Sequence, residues 1–281
     1  QQELDTWSKK DPVIQFENYL LEEKLIKKDK CKEFRSEYSK LIDNEWVKSE
    51  LKEEIVFNES NELSDVFKTL DLQVNKASNK SSNIRFVDAI SQAIHLCMEE
   101  DRDLIIMGQD IAEYGGVFKV TKGMSSTFGK ERVRNTPLCE SIVLSASMGL
   151  SILKIPSIVE MQFSDFVSSG FTAIVNLISK SYYRWGQNAS IVIRMPCGGG
   201  VGAGPFHSQT NESWFTTVPG LKVVYPSFPK EAKGLLINSI KDPNPVLFFE
   251  HKKLYRTITE DVPSDSYITP FGKAIIRAEG N

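Results

Sequence analysis

From residue 84 to residue 250, short apolar runs alternate with stretches of helical periodicity. This restricts the chain to a parallel sheet covered on both faces. The runs are DLIIMG (103–108), ERVRNT (131–136), PSIVEMQ (156–162), SIVIRMP (190–196), LKVVYP (221–226) and NPVLFFE (244–250). Each has the length of a strand. Between them, Val87, Ile90, Ile94 and Cys97 or Met98 recur at helical spacing, and helices are predicted over 140–153, 165–185 and 228–241. The predicted fold is α/β, a doubly wound, mostly parallel sheet. Such sheets bind ligands beyond the carboxyl ends of their strands, so chemistry is expected in the loops after Met107, Thr136, Gln162, Met195 and Phe249.

A helical segment precedes this region. Asp11 followed by Pro12 reads as an N-cap with proline at the first helical position, and Val13, Phe16 and Leu20 begin an apolar stripe. A second stripe, Phe34, Tyr38, Leu41, Ile42 and Trp46, lies in a charged stretch over 30–54. Two such helices bury little against each other and are expected to edge a larger domain. Residues 59–83 read as a linker, polar and rich in Ser, Asn and Lys from Gln73 onward. The expected division is 1–58 helical, 59–83 linker, 84–259 α/β domain and 260–281 a connector opening a further domain.

Charge and composition exclude several classes. Lys plus Arg total 34 against 37 Asp plus Glu, a net charge of -3, too balanced for the positive field that nucleic-acid binding uses. No apolar run is long enough for a membrane span and no signal peptide is visible, so a soluble, cytoplasmic protein is expected. The cysteines Cys31, Cys97, Cys139 and Cys197 are widely spaced, as suits reduced thiols.

The glycines at 198, 199, 200, 202 and 204 follow a strand, but no Lys-Ser/Thr pair follows them and they do not form GxGxxG. They are either a tight loop or a ligand wall before His207. That histidine is the one in a loop at the ligand end of the sheet; His95 lies in a helix and His251 just past a strand. A lone histidine is a catalytic candidate or simply a packed side chain. Glu140, at the start of a helix, either complements the helix dipole or is a carboxylate that passes a proton. Patterning alone leaves both open.

Five ordered motifs narrow the choice: GQDIAEYGGVFKVTKGM (108–124), NTPLCES (135–141), EMQFSDF (160–166), GAGPFHSQ (202–209) and PGLKVVYPSFPKEAKGLL (219–236). Together they resemble the beta subunit of the thiamine-diphosphate-dependent E1 component of 2-oxo acid dehydrogenase complexes, in its transketolase-like pyrimidine-binding domain. DPVIQFENYLLEE (11–23) resembles the closing helices of the E1 alpha subunit, and FGKAIIRAEGN (271–281) the opening of the beta C-terminal domain. The resemblance implies an internal piece of an alpha–beta fusion.

It further implies that Glu140 hydrogen-bonds N1' of the cofactor aminopyrimidine, and that Gln162, Phe166 and Leu138 contact the cofactor. Phe166 stands where tyrosine is usual in the branched-chain type. His207 falls on the histidine facing the substrate channel, placed to assist decarboxylation or acyl transfer to a lipoyl group. Gln109 replaces a usual glutamate, which puts a family proton relay in doubt, and Ser141-Ile142 replaces Gln-Gly beside the key acid. No GDG occurs in the sequence, so the Mg2+ and diphosphate ligands are expected in an alpha-type region, and residues 1–281 alone should be inactive. Ser239, Asp242 and Asn244 resemble a monovalent-cation loop, or make the turn before a strand. The implied partners are a second copy across the cofactor site, an alpha-type domain and a lipoylated E2, with 2-oxoisovalerate favoured as substrate. Two other readings stay open: a different transketolase-like thiamine enzyme, and a non-catalytic assembly module.

Overall fold

A computed structural model describes residues 2–54, 56–70 and 80–280. The chain divides into two compact units, Gln1–Asn58 and Glu59–Asn281. The first holds helices α1 (Gln2–Ser8), α2 (Pro12–Glu22) and α3 (Lys28–Glu50). Asp11 caps α2, its Oδ1 accepting from the Val13 and Ile14 amides at 2.8 and 3.2 Å. The apolar stripes of these helices remain exposed at Val13, Phe16, Leu41, Ile42 and Trp46, and Cys31 is the buried apolar residue among those described in this unit.

The second unit runs α4 (Glu59–Ser64), β1 (Ser81–Arg85), α5 (Phe86–Glu100), β2 (Ile105–Gly108), α6 (Met124–Phe128), β3 (Val133–Asn135), α7 (Glu140–Ile152) and β4 (Ser157–Glu160). It continues through a short α8 (Ser181–Trp185), β5 (Ile191–Cys197), β6 (Lys222–Val224), α9 (Pro229–Lys241), β7 (Val246–His251), α10 (Leu254–Thr257) and β8 (Thr259–Pro263). Six strands form one parallel sheet in the order β3-β2-β4-β5-β7-β6. The doubly wound parallel architecture expected from the alternation is therefore present, with a helical segment ahead of it.

The pleat divides the apolar runs between two cores. Ile158, Val192, Val246 and Phe248 face one cluster with α5 and α9, while Val159, Ile193, Leu247 and Phe249 face the other with α7. Successive side chains of a strand point to opposite faces, so continuous apolar runs are what a sheet covered on both sides requires.

The linker expected over 59–83 differs from what forms. Part of it, 71–79, lies outside the described residues. At its end, Ser81–Arg85 is a strand paired antiparallel with Thr259–Pro263, in the stretch expected to be irregular connector. Ser, Ser and Asn have low strand propensity, and pairing with a second segment 178 residues away, as at Asn83 and Asp261, overrides it. The helix expected over 165–185 is also broken, into a 3-10 turn (Ser164–Gly170), a π-helical stretch (Ala173–Ile178) and α8.

The four cysteines are free thiols. Among the described residues no helix is long and apolar enough to cross a membrane.

Ile193 is fully buried in the middle of the sheet. Ile193→Ala is expected to cost about 2–5 kcal/mol and Ile193→Val about 0.5–1.5 kcal/mol in denaturant melts, the spread reflecting how far the site can collapse.

Candidate functional site

Glu140 opens α7 at the carboxyl end of the sheet, half-buried, and both its oxygens are engaged. Gln109, just after β2, donates Nε2 to Oε1 at 3.3 Å, and Ser169 donates its hydroxyl to Oε2 at 3.1 Å. Complementing a helix dipole needs only a charge near the first turn. A carboxylate with a separate donor on each oxygen also has a set orientation. Gln109, Thr136, Glu140 and Glu160 help line a cavity of about 10 Å3, close to the room one water needs. Oε1 of Gln109 is buried without a hydrogen-bond partner, and a water in that cavity would supply one.

Ser169 reaches Glu140 because the chain there is not a regular helix. Its Oγ also lies 2.9 Å from Phe166 O within the 3-10 turn, so its single proton is shared between that carbonyl and Glu140, and the turn packs close to α7. Gly170 makes that approach possible: a Cβ there would stand 2.4 Å from Leu144 Cδ1.

The same turn carries the aromatic wall. His207, on a 3-10 turn at Pro205–His207, meets the Phe163 ring edge-on at 4.7 Å between centroids and the Phe166 ring at 5.4 Å. Nδ1 of His207 is buried and has no hydrogen-bond partner. Before it, Gly198 has φ +77°, and a Cβ at that position would lie 2.4 Å from His251 Nε2, so the first glycine serves close packing. Glu140 and His207 thus meet one 3-10 turn, the former through Ser169 and the latter through Phe166. Gln162 donates to Asp110 at 3.4 Å in the loop after β2. Leu138 lies two residues before Glu140 with its side chain 80% exposed.

Ser239, Asp242 and Asn244 are elsewhere, ahead of β7 at its amino-terminal end. Lys222 Nζ sits 2.5 Å from Asp242 Oδ2 and neutralises it. Asn244 clamps the backbone of Lys68 through its N–H and C=O, and the Ser239 hydroxyl donates to Leu235 O. Each of the three side chains is thus engaged within the protein itself, ahead of the strand. Among the described residues no group of three His, Cys, Asp or Glu side chains is placed to hold a metal ion.

Beneath the site lies an ionic group that periodicity does not reveal. Arg194 of β5 is fully buried between Glu160 of β4, at 2.5 Å, and Glu250 of β7, which it meets through two parallel contacts of 2.7 Å. Tyr255 donates to Glu250 at 2.6 Å. Burial pushes the Glu160 carboxyl above its ordinary value, opposed by the Arg194 charge. Burial works against the Arg194 charge too, but Glu250 and Glu160 outweigh it and hold the guanidinium above its usual range. One signal was present in the sequence: each of three apolar strands carries one charged residue, Glu160, Arg194 or Glu250, and charges enter cores only in company.

Glu140 thus presents a carboxylate held on both oxygens, and the turn that carries Ser169 also carries the apolar Phe166. Residues 82–257 match the family described as transketolase, pyrimidine binding domain. The chain is 43% identical over 211 residues to a 2-oxoisovalerate dehydrogenase subunit beta 2, mitochondrial, of Arabidopsis thaliana, covering 74% of this chain and 59% of the relative. It is 44% identical over 202 residues to a 2-oxoisovalerate dehydrogenase subunit beta of Bacillus subtilis, covering 71% and 62%. With a pyruvate dehydrogenase E1 component subunit beta of Staphylococcus aureus the identity is 42% over the same coverage. The chain thus spans about six-tenths of the length of these curated relatives.

Arg194→Met would leave two buried carboxylates without their cation and is expected to cost about 3–5 kcal/mol at neutral pH. The loss should shrink on acidification. A carboxyl whose folded pKa lies above the ordinary 4.5 takes up protons on folding, so the stability tied to it is present below that value and lost as pH rises. Urea melts across pH 4.5 to 8 would measure it, and a loss that grew on acidification would contradict the account.

Proposed function

This chain belongs to the transketolase pyrimidine-binding-domain family, and from that premise we propose that it forms the pyrimidine side of a thiamine-diphosphate-dependent 2-oxo acid dehydrogenase E1. The complete enzyme would decarboxylate a 2-oxo acid and pass the acyl group to the lipoyl group of an E2 partner. The observation that carries this reading is the Glu140 carboxylate, oriented by Gln109 and Ser169 beside Phe166 and the His207 turn. The three relatives named above are beta subunits of such dehydrogenases.

Thiamine diphosphate, when bound, supplies a nucleophilic carbon and an electron sink for loss of carbon dioxide. Glu140 holds and returns a proton at N1' of the aminopyrimidine. Two donors fix its carboxylate, so little reorientation precedes that transfer. Phe166 forms an apolar wall, with Gln162 and Leu138 at its margins, and excludes water from the ring. His207, backed by Phe163 and Phe166, presents its imidazole toward the substrate and assists decarboxylation or acyl transfer. The amide at Gln109 cannot itself carry a proton, so the chain through this position serves orientation.

Mg2+ and the diphosphate are proposed to be held by an alpha-type region, with a second copy of the chain across the cofactor site. Residues 1–281 alone would bind the cofactor weakly. A cytoplasmic compartment is proposed, and 2-oxoisovalerate as substrate. The identities to the two substrate types differ by only one or two points, so the stretches GGVFKVTKG and NTPLCE carry that preference.

In the complete enzyme, Glu140→Gln should slow turnover about 10² to 10⁴-fold with an unchanged melting temperature, and slow exchange of the cofactor C2 proton in deuterium oxide by NMR. His207→Ala should leave that exchange fast and lower acyl transfer to lipoyl. Equal C2 exchange in wild type and Glu140→Gln would overturn the assignment. Enzyme that turns over with no acyl reaching the lipoyl group would point to another thiamine enzyme; no turnover at all would point to an assembly module.

Comparing kcat/KM for 2-oxoisovalerate and pyruvate tests the substrate. A difference of a methylene or two in an apolar pocket is worth about 1–3 kcal/mol, so a preference of about 10- to 200-fold for the branched acid is expected. A preference for pyruvate would end that part of the proposal.

A further inference from the structure

The turn that bears His207 is held by a carboxylate of the EMQFSDF stretch to which the sequence assigned no role. Asp165, in the 3-10 turn Ser164–Gly170, is 7% exposed. Its Oδ1 accepts from the backbone N–H groups of Ser208 and Gln209, both at 3.1 Å. These are the two amides directly after His207. Around them, Gly198 N donates to Gln209 O at 2.9 Å, the Ser164 hydroxyl donates to the same carbonyl at 3.3 Å, and Asn211 Nδ2 donates to Ser164 O at 2.9 Å. Every one of these bonds ties the histidine turn to the strand β5 exit or to the turn carrying Phe163 and Phe166.

The other oxygen, Oδ2, is buried with no hydrogen-bond partner. A buried carboxylate is expensive unless a charge compensates it. Lys252 does so at a distance: it is 4% exposed, its Nζ has no hydrogen-bond partner, and it stands over the Phe163 ring at 5.2 Å from the centroid. Burial pulls the Lys252 ammonium below its usual range, and the Asp165 charge works against that pull. A carboxylate that spends one oxygen wholly on two backbone amides, in charge-assisted bonds stronger than neutral ones, fixes a turn more firmly than a hydroxyl or amide would.

We propose that Asp165 is a positioning residue for His207, setting the imidazole against Phe163 and Phe166 by capping the Ser208 and Gln209 amides. This rests on the reading of His207 as a substrate-facing residue, so the test has one arm that does not depend on it. In the complete enzyme, Asp165→Ala should speed hydrogen exchange at the Ser208 and Gln209 amides about tenfold or more, while β5 amides are unchanged. Asp165→Asn, which keeps an acceptor oxygen, should hold that exchange within about threefold of wild type. Unchanged amide exchange in Asp165→Ala overturns the proposal whatever His207 does.

The second arm is kinetic. Asp165→Ala should lower acyl transfer about 10- to 100-fold, leave cofactor C2 exchange within about twofold, and add nothing to His207→Ala in the double variant. Additive losses, or equal loss of C2 exchange, would mark a general structural role and overturn positioning. If Asp165→Ala does not fold, Asp165→Glu, which keeps the charge and displaces the oxygen by a methylene, is read by the same criteria. Loss on His207→Ala without loss on Asp165→Ala removes the positioning role alone; no loss on His207→Ala removes the functional reading and leaves the amide-exchange arm to decide positioning.

Discussion

The buried guanidinium of Arg194 is the interaction on which the site end of the sheet depends. It lies on the central strand β5 and meets Glu160 of β4 on one side and Glu250 of β7 on the other. Three adjacent parallel strands are therefore joined by side-chain charge toward their carboxyl ends, at the last pair of the β4–β5 ladder. Arginine suits this position because its planar fork meets Glu250 in two parallel bonds and leaves a third donor for Glu160. Burying three charges brings no large net gain in stability, but each charge forbids any arrangement in which the others are displaced. Gly116, at φ +75°, lets the loop after β2 close over this group: a Cβ there would stand 3.1 Å from Glu160 Oε1.

Above that base, irregular backbone does the positioning. A regular helix over 165–185 would place its side chains at fixed angular intervals. The 3-10 turn instead delivers Asp165, Phe166 and Ser169 to three separate tasks within five residues. Asp165 holds the His207 turn, Phe166 meets the imidazole, and Ser169 reaches Glu140. Gly170 ends the turn where any side chain would collide with Leu144. Glu140 and His207, 67 positions apart in the sequence, are thus related through one short segment of chain.

Buried polar atoms without a partner occur at both ends of the strands: at the carboxyl ends on Gln109, Asp165, His207 and Lys252, and toward the amino-terminal ends on Ser157, which opens β4, and Asn238, near the end of α9. At the amino-terminal end, Asp242, Asn244 and Ser239 have their oxygens satisfied by Lys222, Lys68 and Leu235. Polar groups that are buried and satisfied hold a fold together. Those left with spare bonding capacity mark where a ligand or water completes the structure.

The amino-acid sequence by itself determined the layers. Apolar runs of strand length, separated by helical periods, leave few alternatives to a parallel sheet with two covered faces, because each strand must bury both of its sides. It also determined the start of α2, since Asp11-Pro12 satisfies the first amides locally, and the position of Glu140 at a helix start after a strand. The tertiary structure alone decided the pairing of Ser81–Arg85 with Thr259–Pro263, the breaking of the 165–185 helix and the assembly of Glu160, Arg194 and Glu250. Each of these depends on contacts between segments far apart in the chain, and periodicity reports only the side of an element that is buried, never which distant atom it is buried against.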